Sequence, residues 1–215
     1  MKVNSVEVKR ILEEIKPARL VAATKYVGVE EINELETLGC QVFGENRVQA
    51  FLDKYEKYQG KGSWHLIGTL QTNKVKYIID KVDLIHSVNT ISLIKEIEKQ
   101  ASKHDLNIHV LLEVNIASEE SKQGFDKNDL MDAMDLILDC PHIFVDGLMM
   151  MAPHIEPELT RPYFRQTKEL LLELKEKYPS HPLNELSMGM SNDYQIALQE
   201  GATMVRIGSA LFDED

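Results

Sequence analysis

A lysine at the end of an apolar run is the first residue in the chain whose type and position suggest chemistry. Lys25 closes the run RLVAATK, and strand alternation would place Val21, Ala23 and Lys25 on one face. If Val21 faces the inside of a barrel, Lys25 points inward at the barrel mouth, where loss of solvent favours the neutral amine. A neutral lysine amine is the nucleophile of Schiff-base chemistry with a carbonyl. The alternative is a lysine that only reaches into solvent at the end of a strand.

Two segments near the C-terminus could bind a phosphate group. In ELSMGMSNDYQ, residues 185–195, an apolar run ends with Gly189 and Ser191, and a helix is expected to begin one or two residues later. The last apolar run contains RIGS, in which Gly208 exposes its backbone N–H beside Ser209. Barrels often bind phosphate with these last loops and a helix N-terminus. Taken singly, Ser191 could be only a helix cap and the methionines only core residues.

A charged side chain interrupts the last apolar run. Arg206 lies within TMVRIGSAL, where alternation puts Met204, Arg206 and Gly208 on one face. A guanidinium at such a position needs a polar partner. An inward amine, a phosphate site and an inward guanidinium suit a ligand with an aldehyde, a phosphate and a ring nitrogen, and pyridoxal phosphate has all three. Because arginine keeps its proton and donates to the ring nitrogen, the ring would be a weak electron sink.

Positioning these residues requires a regular series of strands and helices. Apolar runs alternate with stretches of helical periodicity, such as Ile91, Ile94 and Ile97. The runs are apolar on both faces, which is typical of parallel strands covered by helices. The eight runs are RLVAATK, QVFGEN, WHLIG, DLIHSV, IHVLLEVNI, FVDGLMMMA, ELSMGM and TMVRIGSALF.

Eight strand and helix repeats predict a (β/α)8 TIM barrel, with residues 1–215 forming a single pyridoxal-phosphate-binding domain. An open doubly wound sheet is the alternative. The usual barrel length of about 250 residues favours that alternative, and the absence of a GxGxxG motif after the first run opposes it. The short loops would allow a barrel to close within 215 residues.

Composition limits the classes of partner and compartment. With 24 Lys and Arg against 35 Asp and Glu, the net charge of −11 disfavours nucleic acid and anionic membranes. No apolar stretch approaches the roughly 18 residues of a membrane span, and the N-terminus lacks a signal sequence, so a cytoplasmic protein is expected. Cys40 and Cys140 are expected to be buried thiols. His65 and His86 are interpreted as buried barrel histidines, and no metal site is expected.

The motifs around these residues resemble those of the pyridoxal phosphate homeostasis proteins, a small barrel family also called YggS or PROSC, itself similar to the barrel domain of alanine racemase. The resemblance extends from Leu20 to Phe212. It rests on motifs that occur in the family's order: VAATKYV, VFGENRVQ, WHLIGTLQTNK, EESKQG, GLMMMAP, LSMGMSNDY and GATMVRIGSALF.

The resemblance implies roles for residues of this chain. Lys25 would be the Schiff-base lysine and Arg206 would face the pyridine nitrogen. The phosphate would be bound by Ser191, Gly208 and Ser209.

Two further polar residues are carried over from the same comparison. Asn46, in the GEN motif, closes the second strand near the expected position of the reactive amine. Lys122, in ESKQG, lies in the loop after the fifth strand. A turn former and a solvated charge are the respective alternatives.

The resemblance implies a non-catalytic carrier that holds pyridoxal phosphate as an imine and supplies it to apoenzymes. Its contacts with apoenzymes are expected to be transient, and the protein is expected to be a monomer or weak dimer. One alternative is a racemase or decarboxylase. Two-sided proton exchange needs an acid and a base on opposite faces, one of which similar racemases take from a second domain or subunit. The barrel is expected to occupy the whole chain. A Schiff-base aldolase acting on a phosphosugar is a third hypothesis.

Trp64 and Tyr77 could be core or interface residues, and the core is favoured.

Overall fold

The computed structural model describes residues 1–118 and 123–213. Eight parallel strands form a closed barrel in chain order, and the last of them pairs with the first. The strands in sequence are β1 (Lys2–Val3), β2 (Arg19–Ala23), β3 (Val42–Glu45), β4 (Ser63–Leu66), β5 (Leu84–Val88), β6 (Ile108–Glu113), β7 (Ile143–Met149), β8 (Glu185–Ser187), β9 (Met204–Ile207) and β10 (Phe212–Asp213). Strands β2 to β9 are the barrel, so the predicted TIM barrel is confirmed and the open sheet is wrong.

The first helix precedes the barrel strands, and each of the other seven lies between two successive barrel strands. They are α1 (Ser5–Glu14), α2 (Val29–Thr37), α3 (Val48–Tyr55), α4 (Val75–Ile78), α5 (Ile91–His104), α6 (Lys127–Ile137), α7 (Arg161–Lys177) and α8 (Tyr194–Gln199). Ile94 and Ile97 are buried in α5, as their spacing predicts. After β9 a single 3-10 turn, Ser209–Leu211, stands where a short last helix was expected.

The chain ends add a feature that the sequence did not predict. Strands β1 and β10 pair antiparallel outside the barrel, with Val3 opposite Phe212. The backbone N–H of Asn4 also donates to the carbonyl of Leu211 at 2.9 Å. The two ends of the described chain are therefore held together next to the last barrel strand.

The core has two layers. Inside the barrel, one cluster is formed by Val21, Val42, Leu84, Leu111, Met149 and Met204. The larger cluster lies between the strands and the helices and includes Phe43, Phe51 and Trp64. Because Val21 faces the inside, the strand alternation assumed for the first run is confirmed as far as the strand extends.

The sequence predicted the burial of some side chains and not of others. Trp64 is buried and Cys40 is a buried free thiol, as expected, and burial raises the pKa of Cys40 to about 12. Tyr77, expected in the core, is 44% exposed. The reason is that the single turn of α4 buries Val75 and Ile78 and leaves Tyr77 on the opposite face.

In the ranges described above, no helix is long and apolar enough to cross a membrane.

Candidate functional site

The residues predicted to bind a ligand come together at one end of the barrel. Because all barrel strands are parallel, the segments that follow them meet at the same mouth. Lys25 lies two residues beyond β2, Asn46 directly follows β3, and Gly208 directly follows β9. Ser191 lies in the turn after β8. Lys122 lies outside the residues that the structure describes.

Lys25 occupies a turn and does not continue the strand. Strand β2 ends at Ala23, and the backbone N–H of Val27 donates to the carbonyl of Thr24 at 3.1 Å, so Lys25 and Tyr26 are the central residues of a turn. The side chain of Lys25 is exposed, and its Nζ lies 4.5 Å from the centroid of the Tyr26 ring. The prediction that this amine loses solvent is therefore wrong, because β2 and its alternation end before Lys25.

Arg206 is the buried cation predicted from the last apolar run. It is 5% exposed, and it donates from Nη1 to Oγ of Ser187 at 2.6 Å and from Nη2 to the carbonyl of Met150 at 3.0 Å. Burial lowers the pKa of Arg206 to about 10, while Glu113 and Asp193 act in the opposite direction. The guanidinium therefore remains protonated at neutral pH, and the prediction that it has a polar partner is confirmed.

A chain of buried polar side chains continues from Arg206 across the barrel. The Oγ of Ser187 lies 2.8 Å from Nδ1 of His86, and Nε2 of His86 lies 2.9 Å from Nδ1 of His65. Burial lowers the pKa of His65 to about 4, and it lowers the pKa of His86 well below its usual value. Both rings are therefore neutral at pH 7, and Arg206 is the cation at the end of a neutral hydrogen-bonded chain.

The two histidines were predicted to be buried, which is confirmed, but their connection to Arg206 was missed. Strand alternation contained the signal. His86 lies two residues from Leu84, which faces the barrel interior, and so shares its face. The sequence could not show which inward residues meet across the barrel, because that depends on strand register.

The proposed phosphate segments contact each other through their serines. The Oγ of Ser209 lies 3.2 Å from the Oγ of Ser191. The backbone N–H of Met190 donates to Oδ1 of Asp193 at 2.7 Å, and α8 begins only at Tyr194, after a turn. The helix therefore begins slightly later than predicted, and the two hydroxyls form a pair at the mouth.

Glycines allow the segments at the mouth to approach closely. A Cβ on Gly208 would lie 3.3 Å from the Cβ of Ala23, the last residue of β2. A Cβ on Gly68 would lie 2.2 Å from the carbonyl oxygen of Asn46, so only glycine fits there. Asn46 is half-buried in this packed corner. The end of β9 is thus held beside the strand that leads to Lys25.

The donor set fits a ligand of the pyridoxal phosphate type. A primary amine, two adjacent hydroxyls and a protonated guanidinium lie at one end of the barrel. They match an aldehyde, a phosphate and a ring nitrogen respectively. Within residues 1–118 and 123–213, no group of three His, Cys, Asp or Glu side chains could hold a metal ion.

Known proteins share the sequence and the fold of this chain. Residues 2–214 match the family model described as alanine racemase, N-terminal domain. The pyridoxal phosphate homeostasis protein of Aquifex aeolicus (strain VF5) is 48% identical over 199 residues, which cover 92% of this chain and 87% of the relative.

Solved structures show the same likeness. PipY of Synechococcus elongatus PCC7942, solved with PLP bound, is 30% identical with a TM-score of 0.91, and the match covers 97% of this chain and 99% of PipY. Alanine racemase from Corynebacterium glutamicum is 15% identical with a TM-score of 0.79, covering 98% of this chain and 60% of the racemase. At that identity the racemase shows a shared fold alone.

Proposed function

Since this chain belongs to the family of pyridoxal phosphate homeostasis proteins, we propose that it binds pyridoxal 5′-phosphate and takes part in the homeostasis of that cofactor. The observation that carries the proposal is the convergence of an amine, a hydroxyl pair and a buried guanidinium at one barrel mouth. The likeness to PipY, solved with PLP bound, supports the same ligand.

Each residue proposed for the site supplies one kind of contact. The phosphate would be bound by the paired hydroxyls and by the backbone next to them, where Gly208 leaves space. Bound pyridoxal phosphate supplies an aldehyde that condenses with a lysine amine. The proposed binding residues are Lys25 for the aldehyde, Arg206 for the ring nitrogen, Ser191, Gly208 and Ser209 for the phosphate, and Asn46 and Lys122 as further contacts.

We further propose that the protein holds and supplies the cofactor without robust catalysis. Arg206 keeps its proton at neutral pH, because its pKa of about 10 lies well above 7. A protonated guanidinium donates a hydrogen bond to the ring nitrogen and does not add a proton to it, so carbanion formation is weakly supported. The exposure of Lys25 is compatible with release of the cofactor to apoenzymes through transient contacts.

The proposal is tested by loading the protein with pyridoxal phosphate and dividing the sample. One part is mixed with an apoenzyme that requires the cofactor, and recovery of that enzyme's activity is followed. The other is incubated with L-alanine in deuterated water, and exchange of the α-hydrogen is followed by NMR. We expect recovery of activity and exchange no faster than with free pyridoxal phosphate. Rapid exchange or racemisation would instead assign the protein to the enzymes.

A further inference from the structure

A buried ion pair lies behind the turn that carries Lys25. Glu45, the last residue of β3, pairs through Oε1 with the ammonium of Lys54 in α3, and the two side chains are 1% and 13% exposed. Val42 of the same strand faces the barrel interior, so alternation places Glu45 on the outer face, toward the helices. The pair therefore lies between the barrel wall and α3.

Both members of the pair bind the residue that precedes the reactive lysine. Nζ of Lys54 donates to the carbonyl of Thr24 at 2.7 Å, and Oγ1 of Thr24 donates to Oε1 of Glu45 at 2.6 Å. The same Thr24 carbonyl accepts the N–H of Val27 that closes the turn. Lys54 thus holds the carbonyl on which the conformation of the Lys25 turn depends.

The cost of burying these charges points to a geometric role. Desolvation of a buried ion pair largely offsets its Coulomb attraction, so replacement by apolar groups is often neutral for stability. Among the described residues, Oε2 of Glu45 accepts no hydrogen bond. The hydrogen bond from Thr24 and the ion pair with Lys54 are both made by Oε1. Its two partners through that oxygen, Lys54 and Thr24, also bind each other, which restrains the end of β2.

We propose that Lys54, held by Glu45, is a positioning residue that sets the direction of the Lys25 amine. The inference rests on the proposed role of Lys25 as the residue that bonds the cofactor. Lys25 lies on a turn and is exposed, so neither strand hydrogen bonds nor close packing fixes it. The turn itself has to orient the amine, and a displacement of about 1 Å at a reacting group can slow a reaction on the order of 100-fold.

The test compares three variants with the wild type. Lys54→Met removes the ammonium and keeps the apolar stem, and the double variant Lys54→Met/Glu45→Gln also removes the carboxylate left without its partner. Lys57→Met is the matched control, because this lysine lies just beyond α3 and is exposed. Three quantities are measured for each: the melting temperature, the affinity for deoxypyridoxine phosphate, which lacks the aldehyde, and the rate of covalent attachment of pyridoxal phosphate to Lys25.

We expect Lys54→Met to melt at a lower temperature and the double variant to recover most of the loss. The double variant should bind deoxypyridoxine phosphate with wild-type affinity, yet attach pyridoxal phosphate to Lys25 about tenfold more slowly. Lys57→Met should match the wild type throughout.

Wild-type attachment rates in the double variant would overturn the positioning role. A loss of analogue affinity equal to the loss of rate would also overturn it, because the pair would then support the site as a whole. If the wild type forms no adduct on Lys25, the proposed function fails first and this inference falls with it.

Discussion

Arg206 illustrates how burial controls charge in this site. It is the cation of a hydrogen-bonded chain whose other members, Ser187, His86 and His65, are uncharged at neutral pH. Two carboxylates, Glu113 and Asp193, lie near enough to favour its charged form. The guanidinium is therefore fixed in place and kept protonated, which suits a hydrogen-bond donor to a ring nitrogen.

The paired serines lead to a prediction about phosphate binding. Ser191→Ala and Ser209→Ala should each weaken the binding of pyridoxal phosphate by about tenfold, since a hydrogen bond to a charged group contributes roughly 1.5–3 kcal/mol. Because the hydroxyls lie 3.2 Å apart, the double variant should lose less than the sum. Calorimetric titration measures these affinities. Pyridoxal, which has no phosphate, is the control ligand, and an equal loss for pyridoxal would contradict the assignment.

The buried histidines lead to a prediction about pH. Burial lowers the pKa of His65 from 6.5 to about 4, so the unfolded chain binds more protons than the folded one between these values. The free energy of unfolding should therefore fall as the pH drops from 6.5 to 4, by about 3 kcal/mol for this residue. His86 acts in the same direction.

Denaturant unfolding of His65→Gln across this pH range tests the point. The variant should lose less free energy of unfolding between pH 6.5 and pH 4 than the wild type does. His104→Gln, which changes an exposed histidine of α5, should show the wild-type loss. If His65→Gln and the wild type lose the same amount, the neutral buried histidine is not the cause of acid sensitivity.

At the scale of elements, the contact between β8 and α8 depends on one glycine. Gly189 has a φ of 95°, and a Cβ there would lie 2.7 Å from the Cβ of Ala197 and 2.9 Å from the Cα of Tyr194. This segment carries Ser191 to the mouth. Close packing of α8 therefore also positions a residue that is proposed to bind the phosphate. The segment that Gly189 approaches is therefore the first turn of α8.

Two glycine substitutions separate backbone strain from packing. Gly201 has a similar φ of 100°, but the nearest atoms to a Cβ there belong to the flexible Lys168 side chain, at 3.5 Å. Gly201→Ala should therefore cost about 1–2 kcal/mol of unfolding free energy from the left-handed backbone alone. Gly189→Ala should cost a further 1–3 kcal/mol from overpacking. Equal melting temperatures for the two variants would show that α8 can move away without loss.

The sequence predicted these elements well where hydrophobic pattern determines them. Runs that are apolar on both faces predicted every barrel strand, and Ile94 and Ile97 predicted the buried face of α5. Where a helix is a single turn, the hydrophobic pattern is too short to show which side chains face the core. Tyr77 in α4 was expected in the core and is exposed, because four residues give no reliable period.

At the scale of the whole molecule, the barrel explains why candidate residues that are distant in sequence lie at one mouth. Lys25, Asn46 and Arg206 come from separate parts of the chain and lie at the same end of the barrel because all strands run in the same direction. The fold and the placement of the candidate residues at one mouth could therefore be predicted from the sequence.

The contacts across strands could not be predicted in the same way. The series of side-chain hydrogen bonds from Arg206 to His65 depends on strand register. The hydrogen bond from Lys54 to the Thr24 carbonyl depends on where α3 lies against the barrel. Register shifts between β5 and β6 and between β6 and β7 leave no mark in the hydrophobic pattern. The direction of Lys25 was also out of reach, because it depends on where β2 ends.

The most direct test of the account is whether Lys25 bonds pyridoxal phosphate. Visible absorption spectra of the wild type and Lys25→Ala are recorded with added pyridoxal phosphate, before and after borohydride reduction, and reduced adducts are located by peptide mass mapping. The wild type should turn yellow and yield a stable adduct on Lys25, while Lys25→Ala, whose exposed side chain contributes little packing, should keep its fold and show neither. A colourless wild type, or an adduct on another lysine, would contradict the account.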